Sequence, residues 1–283
     1  MTADEFDFLC KMLKERSGLV LTREKAYLLE SRLLPVARKV NLKSVDELAS
    51  AVRARPNSDL ARGVVEAMTT NESFFFRDIK PFEQFKSFVL PALMKSRAAR
   101  RQIRIWSAAC SSGQEPYTLA MLLAEERAKL AGWHIDIVAT DLSTEILEKA
   151  QAGRYSQFEV QRGLPIQYLV KYFKQQGDRW QIDAAIRNRV RFRAFNLLDE
   201  PGGLGGFDVI FCRNVLIYFD QPTKTAVLDR LARVLSPDGY LYLGGAETVL
   251  GISDKFQPIP DNRGIYRPAA ACSAQPLQRL AVG

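Results

Sequence analysis

One histidine in 283 residues is the strictest limit this chain sets on its own chemistry. His134 stands just before the apolar run Ile135 to Ala139, near the N-terminal end of a predicted parallel strand, whereas ligands gather at carboxyl ends. Catalysis by a histidine base, a Ser-His-Asp triad or a histidine-rich metal site is thereby all but excluded. Cysteine is sparse too: Cys10, Cys110, Cys212 and Cys272 form no C-x-x-C pair. That argues against zinc and against a disulfide framework, fits a reducing compartment, and leaves no metal expected. No run approaches the roughly 20 apolar residues of a membrane span. The opening Met1-Thr-Ala-Asp-Glu-Phe6 is acidic, unlike a secretory signal. A cytoplasmic protein without membrane insertion is expected. The G-x-G-x-x-G of dinucleotide enzymes is missing as well, since Cys110-Ser-Ser-Gly113 offers a single glycine, and pyrophosphate binding is disfavoured.

What is present begins with charge. A formal net charge of +8 admits nucleic acid, an anionic membrane surface or an acidic protein as partner without choosing among them. Residues 1–70 read as helical throughout, with Phe6/Leu9/Leu13, Leu28/Leu29/Leu33/Val36/Val40, Val45/Leu48/Val52 and Leu60/Val64/Met68 at helical spacing. Arg23, Lys25, Arg32, Arg38 and Lys39 make the second helix basic, either a solvated face or a docking surface for an acidic partner. Thr69-Thr-Asn-Glu-Ser-Phe-Phe-Phe-Arg-Asp78 breaks the pattern. A helix from about Pro81 then carries Phe82, Phe85 and Phe88 inward and ends in the basic loop Arg97 to Arg101.

Beyond residue 101 the period changes. Strands are predicted over 103–109, 135–140, 190–195, 207–212 and 240–244, alternating with helices over 117–130, 144–152 and 223–235. This order implies an α/β fold, a mostly parallel sheet covered on both faces. Residues 154–189 interrupt it with Tyr168, Tyr172, Phe173 and Trp180 and the turn Gln176-Gly-Asp-Arg179, read as a small antiparallel insertion. From residue 268 onward the chain lacks periodicity and is expected to be a disordered tail.

In such a sheet the residues just after each strand line the ligand site. Arg104-Ile-Trp-Ser-Ala-Ala-Cys-Ser-Ser-Gly-Gln-Glu-Pro-Tyr-Thr-Leu-Ala120 reads as strand, small-residue loop and helix start, a place where a ligand approaches backbone N–H groups. Glu115 follows the first strand. Asp141 follows the second, placed to accept hydrogen bonds from a ribose diol, although each acid alone also suits a helix N-terminus. Asn196-Leu-Leu-Asp199 follows the third strand, at a position for an adenine edge, and Arg213-Asn-Val-Leu-Ile-Tyr-Phe-Asp220 follows the fourth. Adenosine without phosphate points to S-adenosylmethionine as cofactor.

Taken together, Thr69 to Asp78, Ser107 to Tyr117, Ala139-Thr-Asp-Leu142 and Phe211 to Asp220 resemble the chemotaxis-receptor glutamate methyltransferases, the CheR family, with the likeness running from about Phe6 to Arg267. The resemblance implies a helical receptor-recognition domain over 1–70 and a segment over 71–101 that adds to the cofactor site. A Rossmann-like class I methyltransferase domain over 102–267 carries the β-subdomain insertion. It further implies that Asn71, Ser73 and Arg77 close over the methionine end of the cofactor, with Arg77 facing its carboxylate. Glu115 and Asp141 would hold the amino and ribose parts, Asn196 and Leu197 the adenine, and Arg213 and Asn214 the inner wall. Tyr218 would orient the incoming carboxylate, so Arg77 and Tyr218 are the catalytic candidates. Ser73 replaces a threonine common in the family and keeps the hydroxyl.

The implied reaction is in-line attack of a receptor glutamate on the methyl sulfonium, giving a γ-glutamyl methyl ester and S-adenosylhomocysteine. A glutamate with a pKa near about 4.3 is already ionised at neutral pH and needs no base, which suits a chain with one misplaced histidine. Arg32, Arg38 and Lys39 would then read the glutamate-rich receptor bundle. The short turn at Gln176 to Arg179 departs from family members that tether to a receptor pentapeptide, so no tether is expected, and the protein is expected to act as a monomer. Two other readings stay open: a methyltransferase for another acidic protein or for nucleic acid, the latter disfavoured by the missing Pro-Pro-Tyr type motif, and a non-catalytic cofactor sensor.

Overall fold

The computed structural model describes residues 1–269. Four helices open the chain: α1 (Ala3–Ser17), α2 (Ala26–Lys39), α3 (Val45–Ala54) and α4 (Asp59–Met68). Thr2, Ser44 and Ser58 cap α1, α3 and α4 by accepting backbone N–H groups of the first turn, the role for which short hydroxyl side chains are suited. Leu9, Leu13, Leu29, Leu33, Leu48, Val52 and Val64 are fully buried in a core of their own. Val40, expected on the apolar face of α2, is 44% exposed, because the helix ends at Lys39 and Val40 leaves helical geometry; Ala37 is buried instead.

After the segment 69–79 comes α5 (Lys80–Gln84), a wide π-helical turn (Phe85–Val89) and α6 (Leu90–Ser96). Phe82 and Phe85 face inward as the spacing predicts, but Phe88 is 37% exposed. Val89 takes the inward place four residues after Phe85, and Phe88 sets its ring edge-on against Tyr240.

The main sheet has seven strands in the order β6-β2-β1-β7-β8-β10-β9, formed by β1 (Gln102–Ala108), β2 (His134–Asp141), β6 (Val190–Ala194), β7 (Phe207–Cys212), β8 (Leu235–Leu243), β9 (Phe256–Pro258) and β10 (Ile265–Pro268). Pairing is parallel from β6 through β8 and antiparallel for β10 and β9. Alternation divides the core: Ile105, Val209, Phe211 and Tyr242 pack on one face, and Trp106, Ile210, Cys212 and Leu241 on the other. Helices α7 (Gln114–Glu125), α8 (Thr144–Ala152) and α12 (Gln221–Val234) cover the sheet.

Two of these strands escaped the sequence reading, which placed none after residue 244 and began a disordered tail at 268. Pro268 in fact pairs with Phe256, and the Ala269 N–H donates to the Lys255 carbonyl at 2.8 Å. Strands of three and four residues are too short to show alternation, and proline is tolerated at both places, Pro258 on the edge strand β9 and Pro268 at the last residue of β10, past its pairing with β8. The rest of the tail expectation, and Cys272, lie outside the described residues.

Between α8 and β6 a second sheet, ordered β3-β5-β4, is built from β3 (Arg154–Ser156), β4 (Phe173–Gln176) and β5 (Arg179–Ile182), with α9 (Gln157–Gln161), α10 (Ile166–Tyr172) and α11 (Ala184–Arg187) around it. Gln176 pairs with Arg179, and Gly177 supplies the positive φ of 63° that the hairpin requires. The insertion also supports the loop after β1, since the Tyr155 hydroxyl donates to the Ser112 carbonyl at 2.8 Å.

The helical domain is bonded directly to the α/β domain. Val20 N–H donates to the Tyr218 carbonyl at 3.0 Å, Asn196 Nδ2 to the Arg16 carbonyl at 2.6 Å, and Lys14 pairs with Asp220 at 2.6 Å. Gly18, the C-cap of α1, sits at φ 75° against the Phe219 ring, where an added Cβ would lie 2.9 Å from ring carbons. Replacing Gly18 by alanine is therefore expected to destabilise the protein by about 1–3 kcal/mol, from strained backbone and ring displacement together. Chemical denaturation compared with wild type checks this. Among the described residues no helix is long and apolar enough to cross a membrane.

Candidate active site

Strand order reverses between β1 and β7, whose neighbours run outward to β2 and to β8. Connections leave in opposite directions there and open a crevice at the carboxyl ends. A cleft of about 970 Å³, open mouth included, occupies that place. Asn71, Ser73, Arg77, Glu115, Asp141, Asn196, Leu197, Arg213, Asn214 and Tyr218 all line it. His134 stands at the first residue of β2, the far end of the same strand that delivers Asp141.

Arg213 organises the inner end. Its side chain is 1% exposed; Nη1 donates to Glu115 at 2.9 Å, and Nη2 to Asp78 at 2.6 Å and to the Arg77 carbonyl at 2.9 Å. Ser107 Oγ donates to the other Glu115 oxygen at 2.8 Å. Glu115 thus points into the cleft from the first turn of α7 with both oxygens oriented. Asp141 accepts the N–H of Ser111 at 2.8 Å and of Ser143 at 3.1 Å. Burial pushes its carboxyl above the ordinary value, while those backbone donors pull the other way.

The backbone around the cleft is strained. Ala109, Ser111 and Asn214 line it at φ 61°, 51° and 58°, and Phe76, Asp78 and Ile79 beside Arg77 lie at 52°, 68° and 50°. Non-glycine residues in this region cost about 1–3 kcal/mol each and persist where surrounding structure enforces them. Here the enforcement is visible: Phe76 N–H donates to Thr118 Oγ1 at 3.2 Å, and Phe75 lies edge-on to Tyr155 and Phe173.

Several predicted residues have additional work. The Asn196 amide is turned toward α1, with Oδ1 accepting Leu198 N–H at 3.0 Å, so Leu197, Leu142 and Phe195 form the apolar wall. Arg32, Arg38 and Lys39 lie on α2 and do not line the cleft. Arg38 and Lys39 are exposed, whereas the Arg32 guanidinium donates to the Met68 and Thr69 carbonyls at 2.7 and 3.1 Å and to Thr70 Oγ1 at 3.1 Å. Arg32 therefore fastens the segment leading to Asn71.

Other lining residues had no signal in the sequence. Ser17 and Leu19 come from the end of α1, brought in by domain docking alone. Glu247, also outside every motif, does not line the cleft but supports its wall from behind, accepting the N–H groups of Asn214, Val215, Leu216 and Gly244.

Two oriented carboxylates, a guanidinium and an apolar slot match an amino acid's ammonium, a ribose diol, a carboxylate and an adenine ring, so the donor set fits S-adenosylmethionine. Sheet and site together define an S-adenosylmethionine-dependent methyltransferase. Residues 71–265 match the model described as CheR methyltransferase, SAM binding domain, and residues 4–69 match CheR methyltransferase, all-alpha domain. The chain is 45% identical over 270 residues to chemotaxis protein methyltransferase 1 of Pseudomonas aeruginosa, covering 93% of this chain and 97% of that one. It is 43% identical over 265 residues to chemotaxis protein methyltransferase Cher2 of Pseudomonas putida (92% and 96%), and 41% identical over 264 residues to chemotaxis protein methyltransferase 1 of Vibrio cholerae (92% and 95%). The chain belongs to the CheR methyltransferase family.

Proposed function

We propose that this methyltransferase esterifies glutamate side chains on the cytoplasmic helices of a chemoreceptor. One observation carries the reading: the phenylalanine-arginine segment and the Arg213 to Tyr218 segment, more than a hundred residues apart, form one wall of the cleft, joined by the bond from Arg213 Nη2 to the Arg77 carbonyl. The relatives' shared name, chemotaxis protein methyltransferase, supports it.

The cofactor supplies a methyl group on a sulfonium, an electrophile that needs no further activation. Glu115 holds the ammonium, Asp141 the ribose diol, Leu197 with the Asn196 backbone the adenine, and Arg77 the carboxylate. Asn71, Ser73 and Asn214 shape the walls. Tyr218 orients the attacking carboxylate. Excluding water strengthens the attraction that brings carboxylate and sulfonium together, worth about 4 kcal/mol at about 4 Å for an effective dielectric of about 20, against about 1 kcal/mol in water. Alignment contributes on the order of 7 kcal/mol in favourable cases.

Incubation with tritiated cofactor and receptor-bearing membranes, then alkali, tests the reading: a methyl ester releases volatile methanol. Alkali-stable label on nucleic acid would redirect it to a base, and no incorporation would favour a sensor. Since the attacking glutamate is ionised and no base is required, kcat should change less than about twofold between pH 6 and 9. A rise through a pKa near about 7 would demand a base.

Receptor recognition falls to the exposed cations of α2. Arg38→Glu with Lys39→Glu is expected to raise the receptor KM by roughly tenfold at low salt and much less at high salt, with kcat retained. Arg32→Ala should instead weaken cofactor binding, because Arg32 holds residues 68–70. The two-residue turn Gly177-Asp178 supports a protein that does not tether to a receptor pentapeptide. Micromolar binding of such a peptide in calorimetry would overturn that.

A further inference from the structure

We propose that Glu247 is a positioning residue for methyl transfer, a buried carboxylate that sets the loop carrying Tyr218. This rests on the reading of Tyr218 given above. Glu247 follows β8 and is 9% exposed. Its Oε2 accepts Asn214 N–H at 2.8 Å and Gly244 N–H at 2.6 Å; its Oε1 accepts Val215 N–H at 2.9 Å and Leu216 N–H at 2.7 Å. Three of these donors are consecutive, running from Asn214, next to Arg213, which aligns Glu115, to Leu216, the first residue of the short 3₁₀ turn Leu216–Tyr218.

The chemistry of the residue follows from the donors. Consecutive N–H groups converge on one point only in an unusual backbone conformation, here begun by Asn214 at φ 58°, and such a concavity selects an anion. A carboxylate offers about four lone-pair sites and no donor, which matches four N–H groups; an amide would turn its own N–H₂ against two of them. The surrounding space is shaped to the same end. A Cβ on Gly244 would lie 2.7 Å from Glu247 Oε2, 2.7 Å from Asn214 Nδ2 and 2.9 Å from Asn214 N, so only glycine lets the carboxylate reach the loop. Without this anchor the strained Asn214 has no reason to stay strained, and the Tyr218 hydroxyl loses its position relative to the cleft.

The test uses the full chain in four forms: wild type, Glu247→Gln, Tyr218→Phe and the double variant. Glu247→Gln is expected to reduce kcat on receptor on the order of 100-fold, the cost of misplacing a reacting group by about 1 Å. In the Tyr218→Phe background the same change should reduce it severalfold at most. Hydrogen exchange followed by mass spectrometry, which needs no turnover, should show faster exchange across residues 214–216 in Glu247→Gln. Gly244→Ala, which displaces the carboxylate and keeps its charge, should reproduce both effects even where Glu247→Gln fails to fold. Equal losses in both backgrounds, or unchanged exchange, would mark Glu247 as a stability residue and overturn the proposal. Full activity in Tyr218→Phe would instead overturn the reading of Tyr218.

Discussion

Exchanging Arg213 for methionine is expected to lower the melting temperature by roughly 6–20 °C and to remove measurable cofactor binding. The first figure follows from breaking a buried ion pair, about 3–5 kcal/mol, in a domain where 1 kcal/mol moves the melting point by about 2–4 °C. Most of the penalty falls on Glu115, whose side chain is 12% exposed and would be left in place without its cation; Asp78, 48% exposed, can turn to water. Methionine keeps the unbranched apolar stem and lacks the guanidinium, so the loss reports the charge, the hydrogen bonds and the contact with the Phe82 ring together. Arg213→Lys should rescue little, because one ammonium cannot span Glu115, Asp78 and the Arg77 carbonyl as the planar fork does. Thermal unfolding by circular dichroism and calorimetry with S-adenosylhomocysteine decide it. Wild-type values in both would show that Arg213 is not the organiser of the inner wall.

How much of this site the sequence disclosed depends on whether a residue's partner was local. The alternation of Ile103 and Ile105 against Trp106 and Ala108, and the acids just after strand ends at Glu115 and Asp141, follow from backbone periodicity and sheet topology, and both are written in short stretches of chain. Arg32 shows the opposite case. Its charge and helix were plain, but its engagement by the Met68 and Thr69 carbonyls depends on where α4 ends against α2, which no spacing encodes. Leu19 and Glu247 carry no motif because their roles are contacts across domains and between loops. Phe88 and Val40 depart from their spacing for local reasons: a wide turn moves the inward face by one residue to Val89, and the end of α2 at Lys39 takes Val40 out of helical geometry.

Tyr218→Phe should cut kcat for receptor methylation on the order of 100-fold while leaving the affinity for S-adenosylhomocysteine within about twofold, the pattern of an interaction made only in the transition state. The geometry makes this a clean substitution. Tyr218 N–H donates to the Val215 carbonyl at 3.2 Å, its own carbonyl accepts Val20 N–H at 3.0 Å, and Phe219 is seated on Gly18, so backbone and ring stay in place when the hydroxyl is removed. In the proposed mechanism the hydroxyl directs one carboxylate oxygen at the methyl carbon, since an ionised glutamate presents two oxygens and needs help choosing a line of attack, not help losing a proton. Arg77→Ala should give the complementary result. In the proposed mechanism Arg77 meets the cofactor in ground state and transition state alike, so its loss should raise the cofactor dissociation constant by roughly tenfold and act on kcat less than Tyr218→Phe does. Its guanidinium also rests near the Phe74 ring and donates to the Glu72 carbonyl at 2.9 Å, so Arg77→Lys, which keeps charge without the planar fork, should recover only part of that affinity. If Tyr218→Phe instead raised the cofactor dissociation constant and spared kcat, the tyrosine would belong to the cofactor wall, and orientation of the glutamate would have to come from Arg77.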